Sequence, residues 1–309
     1  MLDSKQVQAF FDAIEQADSI VVFRHVSPDP DATGSQLGLC EWIRKEYPYK
    51  KVYAAGQGEG MDDVDDETIK NSLAIITDTA NGPRVDGPYT LAPKAARIDH
   101  HVKVEDFGPL DLVDEKAAAA CEIEALMLKS AHKTIGAKAA QQMMRGLMAD
   151  TQRFTIPTVR PQTFEAAAWL MEQGASPSEA AKSLYNQPYV IFQYAAKVRS
   201  KAKRCGNFLF ALMNQSDYLE LGLSFEEAKN QVNALNSIAG MQIWALFTED
   251  LDHTYSGSLR SAQKSVRELA EQFGGGGHEC ACGIKKLTAL TLPQLVEALD
   301  KLANDHQPF

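Results

Sequence analysis

The stretch Arg24-His25-Val26-Ser27-Pro28-Asp29-Pro30-Asp31-Ala32-Thr33-Gly34-Ser35 crowds one histidine and two aspartates into seven residues. Imidazole and carboxylate are donors that divalent ions take from proteins. Two aspartates one residue apart point the same way on an extended backbone, and carboxylates side by side are costly unless a cation neutralises them. Ser-Pro-Asp-Pro is also ordinary turn punctuation, so this stretch alone fits a polar loop as well as a metal site. Recurrence favours the site. Asp78 follows Ala74-Ile75-Ile76-Thr77, Asp99-His100-His101 follows Ala95-Ala96-Arg97-Ile98, and Asp150 follows Gly146-Leu147-Met148-Ala149. If these runs end on one side of one sheet, the carboxylates and histidines converge on one crevice.

The elements that must position them are legible as alternating patterns. Ser19–Phe23 is a β-branched run, and ligands of open α/β sheets bind outside the carboxyl ends of the strands. Apolar spacing predicts a covering helix over about 4–17, a helix whose N-terminus lies near Gly34-Ser35, and strands at 51–55, 74–77, 95–98 and 111–113. Helices are expected near 117–130 and 137–148. Alternation of this kind predicts an α/β fold with a mostly parallel, Rossmann-like sheet flanked by helices. The acidic run Met61–Glu67 reads as a solvated loop and helix start.

Beyond Gln162 the pattern is helical, with a capping box at Ser176-Pro177-Ser178-Glu179. A helix from about Tyr189 carries Lys197, Arg199, Lys201, Lys203 and Arg204 toward its end, a cluster that suits a helix C-terminus and could also touch nucleic acid. A smaller α/β domain begins at Asn207, with strands at 207–213, 243–247 and 254–260. The expected division is 1–188, a helical linker over 189–206, and 207–309. In the last segment Gly274-Gly275-Gly276-Gly277-His278 is costly in backbone entropy. Its expected use is to close backbone N–H groups on an anion, with Arg260 and His278 as partners. A flexible hinge is the plainer reading, and zinc on His278, Cys280 and Cys282 lacks a fourth ligand.

Composition bounds the function. A chain of 309 residues exceeds the usual single core, so two domains are expected. With 31 basic against 41 acidic residues and a formal charge of −10, a grip on long duplex nucleic acid is not expected. Five cysteines at irregular spacings fit free thiols in a reducing compartment. No membrane span and no signal peptide is read, so the expected location is the cytoplasm.

Taken in order, His25-Val26-Ser27-Pro28-Asp29-Pro30-Asp31, Asp78-Thr79-Ala80, Asp99-His100-His101, Gly146–Thr151, Ser258-Leu259-Arg260-Ser261 and Gly274–His278 resemble the DHH-family phosphoesterases with a DHH-associated C-terminal domain. That group contains the nanoRNases that also act as phosphatases on 3′-phosphoadenosine 5′-phosphate. The resemblance spans essentially the whole chain and departs at Pro30, where glycine is common. It implies a hydrolase with two manganese ions, magnesium or cobalt being substitutes. His25, Asp29 and Asp78 would hold one ion, and Asp31, Asp78, His100 and Asp150 the other, with Asp78 shared. The pair would polarise a phosphoryl oxygen and acidify a water for in-line attack on phosphorus. His101 would stabilise phosphoryl oxygens or assist the leaving group, and Asp99 would orient an imidazole. Arg260, Gly274, Gly275, Gly276, Gly277 and His278 would bind the far end of the substrate.

The implied activity is exonucleolytic degradation of short RNA to mononucleotides, together with 3′(2′),5′-bisphosphate nucleotidase action. Expected partners are short RNA or a small nucleotide, with a homodimer as a further option. A linear or cyclic di-adenosine monophosphate phosphodiesterase and a single-strand DNA exonuclease share the motifs. A family II inorganic pyrophosphatase should lack the glycine–histidine run, and a non-catalytic nucleotide sensor should lack metal-ligand residues.

Overall fold

The computed structural model describes residues 3–305. Asp3 caps α1 (Ser4–Gln16), which buries Phe10, Phe11 and Ile14. β1 (Ser19–Phe23) is buried at every position. Its Ile20 and Val22 join one apolar cluster and its Val21 and Phe23 another, so both faces of the sheet are covered, as a parallel sheet requires. α2 (Pro30–Glu46), β2 (Lys51–Ala54), α3 (Asp66–Lys70), β3 (Leu73–Thr77), β4 (Lys94–Asp99) and β5 (Asp111–Val113) follow. The sheet order is β2-β1-β3-β4-β5, paired in parallel. α4 (Ala120–Ser130), α5 (Ala137–Asp150), α6 (Pro161–Glu172) and α7 (Pro177–Tyr185) complete the first unit, which ends at Asn186.

Two expectations change here. The second helix starts at Pro30, not near Gly34. The Asp29 side chain accepts from the N–H groups of Asp31 and Ala32, and Pro30 occupies N1, where its missing N–H costs nothing. Asp29 and Asp31 are therefore a cap and a first-turn residue, not neighbours on an extended strand. The helix expected near 137–148 runs on to Asp150, with Ala139, Ala140, Met143, Met144 and Leu147 buried, so Asp150 stands at a helix end and not with the strand ends.

The second unit begins at Gln187. It contains α8 (Tyr189–Ser200), β6 (Lys203–Cys205), β7 (Phe208–Met213), α9 (Gln215–Leu219), α10 (Phe225–Lys229), β8 (Ile243–Glu249), β9 (Tyr255–Ser261), α11 (Arg267–Gln272), β10 (Gly276–His278), β11 (Ala281–Leu287) and α12 (Thr291–Asn304). Its sheet order is β10-β11-β9-β8-β7-β6, antiparallel except for the parallel pair β7 and β8. Phe208, Ile243, Ala245 and Phe247 face a core with Leu295 and Leu299 of α12. Ala211, Met213 and Leu246 face the other way, onto Ile191, Tyr194 and Val198 of α8.

The stretch expected as a linker is thus split. α8 is an integral part of the second unit's core, and residues 203–205 are an edge strand. Its basic residues are largely spoken for: Lys197 pairs with Asp217 and Glu220, and Lys201 with Asp217.

Candidate active site

Three strand ends and one helix end bring the acidic and histidine motifs together. His25 follows β1, Asp78 follows β3, His100 and His101 follow β4, and Asp150 closes α5. Ligand atoms within 4.8 Å of one another define three groups: His25, Asp29 and Asp78; Asp31, His100 and Asp150; and Asp78, His100 and His101. The turns that carry them hold non-glycine residues in the left-handed region, Ser27 (φ 54°), Asp78 (φ 49°) and the run Gln152–Phe154 (φ 46° to 63°). Such conformations cost energy and persist where surrounding structure enforces them.

The histidines show how the site is wired. His25 Nδ1 lies 2.8 Å from the Val26 carbonyl oxygen, so this nitrogen carries the proton and donates it there. Nε2 is left with its lone pair toward Asp29 (3.7 Å) and Asp78 (3.5 Å). His100 repeats the plan, with Nδ1 3.4 Å from the Ala117 carbonyl oxygen and Nε2 facing Asp78 (3.3 Å) and Asp150 (3.5 Å). A lone pair aimed at two carboxylates needs a cation between them, either a proton or a metal ion. Although burial opposes it, hydrogen bonding to Asp29 and Asp78 raises the His25 pKa to about 10.

The carboxylates carry the complementary signature. Burial, reinforced by Asp78, pushes Asp31 up from the usual range, and burial with Asp31 and Asp78 does the same to Asp150. Asp29 goes the other way, to about 2: burial is the largest influence and would raise it, but the His25 hydrogen bond and charge together with the N–H groups of Ala32 and Asp31 outweigh it. Asp78 is 1% exposed, and its Oδ1 has no hydrogen-bond partner among the described residues. A buried, orphaned carboxylate oxygen flanked by imidazole nitrogens fits divalent ions on donor chemistry.

Neighbouring elements hold these groups in place. Asp31 accepts from the N–H groups of Ala120 (2.6 Å) and Cys121 (3.2 Å) at the N-terminus of α4, where orphan donors and the helix dipole favour an anion. Gly146 lets α5 press against this carboxylate, since a Cβ there would come 2.8 Å from Asp31 Oδ1 and 2.5 Å from Cys121 Sγ. Asp99 Oδ1 accepts from the His101 ring at 2.8 Å and from the His100 N–H at 2.9 Å.

Arg97, hidden inside an apolar run, is a positioning residue that sequence reasoning passed over. Its guanidinium is fully buried, is bidentate to Asp111, and donates to the Thr79 and Ala80 carbonyls in the loop after Asp78. A lone arginine inside a β-run was the available signal. Glu124 was also missed. It is fully buried on α4, with both oxygens unpartnered among the described residues, and burial with nearby Asp31 and Asp78 pushes its pKa well up.

In the second unit, Arg260 and His278 stand on β9 and β10, each in register with Ala281 of β11. The glycine run is not an open loop: Gly276–His278 is a strand paired with β11. It is an edge strand, and close packing against β11 demands two of the glycines. A Cβ on Gly275 or Gly277 would come 2.4 Å from the carbonyl oxygen of Gly283 or Ala281. Cys282 faces the core and its thiol donates to the His278 carbonyl, which removes the zinc alternative.

The comparisons with known proteins agree with this architecture. Residues 19–150 match the DHH family, N-terminal domain, and residues 206–305 the DHHA1 domain. The chain is 32% identical to the bifunctional oligoribonuclease and PAP phosphatase NrnA of Bacillus subtilis, over 94% of this chain and 96% of that protein. It is also 32% identical to an uncharacterized protein of Mycoplasma pneumoniae, the MG371 homolog, over 97% and 96% of the two chains. An exopolyphosphatase-related protein from Bacteroides fragilis shares the fold, with a TM-score of 0.86 at 22% identity over 99% of both chains. The chain belongs to the DHH family, with a DHHA1 domain following its DHH domain.

Proposed function

We propose that this protein is a manganese-dependent phosphoesterase that degrades short oligoribonucleotides to mononucleotides and dephosphorylates 3′-phosphoadenosine 5′-phosphate. The supporting observation is the pairing of two histidine Nε2 atoms with shared Asp78 in a chain whose Bacillus subtilis relative carries both activities in its name. His25, Asp29 and Asp78 would hold one ion, and Asp31, Asp78, His100 and Asp150 the second. When bound, the ions supply Lewis acidity to a phosphoryl oxygen and lower the pKa of water. Oxygen and imidazole donors suit manganese, with magnesium or cobalt as substitutes.

The chain's own groups do the rest. His25 and His100 keep their Nδ1 protons on backbone carbonyls, which fixes the rings and leaves Nε2 basic. Asp99 holds the His101 Nδ1 proton, so His101 Nε2 is the nitrogen available to a phosphoryl or leaving-group oxygen. Arg260 offers a guanidinium that pairs with no carboxylate among the described residues and donates to the Leu259 carbonyl. It would take the phosphate at the other end of the substrate.

Unpaired cysteines support a reducing, cytoplasmic setting. Among the described residues no helix is long and apolar enough to cross a membrane.

The test is a timed product analysis of purified protein with manganese. It offers RNA dinucleotides, 3′-phosphoadenosine 5′-phosphate, and linear and cyclic di-adenosine monophosphate in parallel. Faster turnover of the first two supports the reading, and preference for either di-adenosine form overturns it.

A further inference from the structure

The turn that follows Asp150 is strained. Gln152, Arg153 and Phe154 have φ of 46°, 63° and 63°, three consecutive non-glycine residues in the left-handed region. L-residues visit that region singly and at a cost, because Cβ crowds the following carbonyl oxygen. One left-handed residue is enough to end a helix, so the run exceeds what stopping α5 requires.

The surroundings enforce it. Thr151 is fully buried; its hydroxyl donates to the Leu147 carbonyl and accepts from the Phe154 N–H. The N–H groups of Gln152 and Arg153 donate to the Ala149 and Met148 carbonyls. Phe154 packs against the core and stacks on Phe164 at 5.3 Å. Between these anchors Arg153 is exposed, three residues beyond a candidate metal ligand.

The Arg153 guanidinium lies over the Tyr185 ring, 4.7 Å from its centroid. The Tyr185 hydroxyl donates to the Met148 carbonyl at 3.0 Å, so the last turn of α5 carries both partners. Tyr185 also senses Asp150: burial leads in raising its pKa, Arg153 opposes, and the Asp150 charge adds to the rise. Among the described residues Arg153 pairs with no carboxylate, whereas Arg24 and Arg97, beside the other motifs, are buried and committed to Asp86 and Asp111. A guanidinium stacked on an aromatic face keeps its N–H edge free for a phosphate oxygen. Beside four crowded carboxylates, an anionic substrate needs such a cation.

Resting on the phosphoesterase reading above, we propose that Arg153, seated on Tyr185, donates to a non-bridging oxygen of the phosphate undergoing hydrolysis. The left-handed turn exists to present it there. This role is separate from the one assigned to Arg260, which serves another phosphate.

The experiment compares the parent with Arg153→Gln, Arg153→Lys and Tyr185→Leu. It measures melting temperature, manganese affinity and inorganic-phosphate affinity of the manganese-loaded protein by calorimetry, and steady-state kinetics on an RNA dinucleotide. Phosphate binding is repeated in Arg260→Ala protein, which silences the other arginine. Arg153→Gln should weaken phosphate binding by about tenfold and lower kcat by about 10–100-fold, because the contact tightens as charge builds on the phosphoryl oxygens. Arg153→Lys should recover part of the loss, keeping the charge without the planar fork, and Tyr185→Leu should fall between. Melting temperature and manganese affinity of Arg153→Gln should stay near parental, which a merely structural role for the stacked pair would not allow.

Folded Arg153→Gln with parental phosphate affinity and kcat would overturn the proposal. If that variant fails to fold, Arg153→Lys with both values parental overturns it equally. A parent that hydrolyses no nucleotide, yet loses phosphate affinity on Arg153→Gln, would overturn the nucleotide reading and uphold the role of the arginine.

Discussion

Asp99 and His101 are joined by a 2.8 Å hydrogen bond from the ring Nδ1–H to Oδ1, on a carboxylate that is itself completely buried. Burial alone would raise the Asp99 pKa, but the hydrogen bonds and charge of His101, with the charge of His100, together hold it below the usual carboxylate range. Arg97 lies 3.7 Å from the other oxygen. The pair fixes His101 in the tautomer protonated at Nδ1.

Asp99→Asn should therefore disturb catalysis more than binding. Loss of a comparable orienting carboxylate typically costs about 10–100-fold, and the loss should fall mainly on kcat. The pH profile of kcat should shift as well, a change that simple loosening of the fold would not produce. Steady-state kinetics over pH decide it: a parental profile would reduce Asp99 to a structural role.

Glu124 gives a stability prediction. Its folded pKa is raised well above the ordinary value by burial and by Asp31 and Asp78. The native state thus keeps a proton that the unfolded chain releases above about pH 4.5. Stability then falls as pH rises, by about 1.4 kcal/mol per pH unit while the one-proton difference lasts. A glutamine side chain in its place would be neutral at every pH. In chelator-treated protein, Glu124→Gln should match the parent near pH 5 and melt progressively higher by pH 8. Parallel melting curves across that range would contradict the buried neutral acid.

Arg260→Ala removes a half-buried guanidinium whose one described protein acceptor is the Leu259 carbonyl. A hydrogen bond to a charged group is worth about 1.5–3 kcal/mol, so kcat/KM should fall by roughly one to two orders of magnitude. Divalent-ion affinity, measured by calorimetry, should stay parental. Unchanged kinetics on every nucleotide would remove Arg260 from the binding site.

Much of the first unit was legible because β1, β3 and β4 are short apolar runs that end on acidic or histidine residues. What escaped was local backbone chemistry. Asp29-Pro30 is a helix-start signature, yet the metal-like spacing of Asp29 and Asp31 drew attention to an extended reading. The helix expected near 137–148 is found, extended to Asp150; only the grouping of Asp150 with the strand ends, drawn from the apolar run Gly146–Ala149, was off.

Arg97 and Glu124 were hidden for another reason. A buried charge inside a core element acquires meaning only from partners distant in sequence, such as Asp111 for Arg97. The glycine run was recognised, but which glycines answer to packing and which leave open space depends on the register with β11.

The central claim joins metal dependence to short substrates. The Nε2 atoms of His25 and His100 face carboxylates that call for cations. At a formal charge of −10, longer RNA gains little from added phosphate contacts. The most direct measurement is a competition time course with chelator-treated protein and equimolar 2-, 5- and 20-nucleotide RNAs, before and after addition of manganese. The expected result is no cleavage before the metal and, after it, consumption of RNAs of about two to five nucleotides ahead of the 20-mer, with mononucleotides as products. Turnover without metal, or disappearance of the 20-mer first, would contradict the claim.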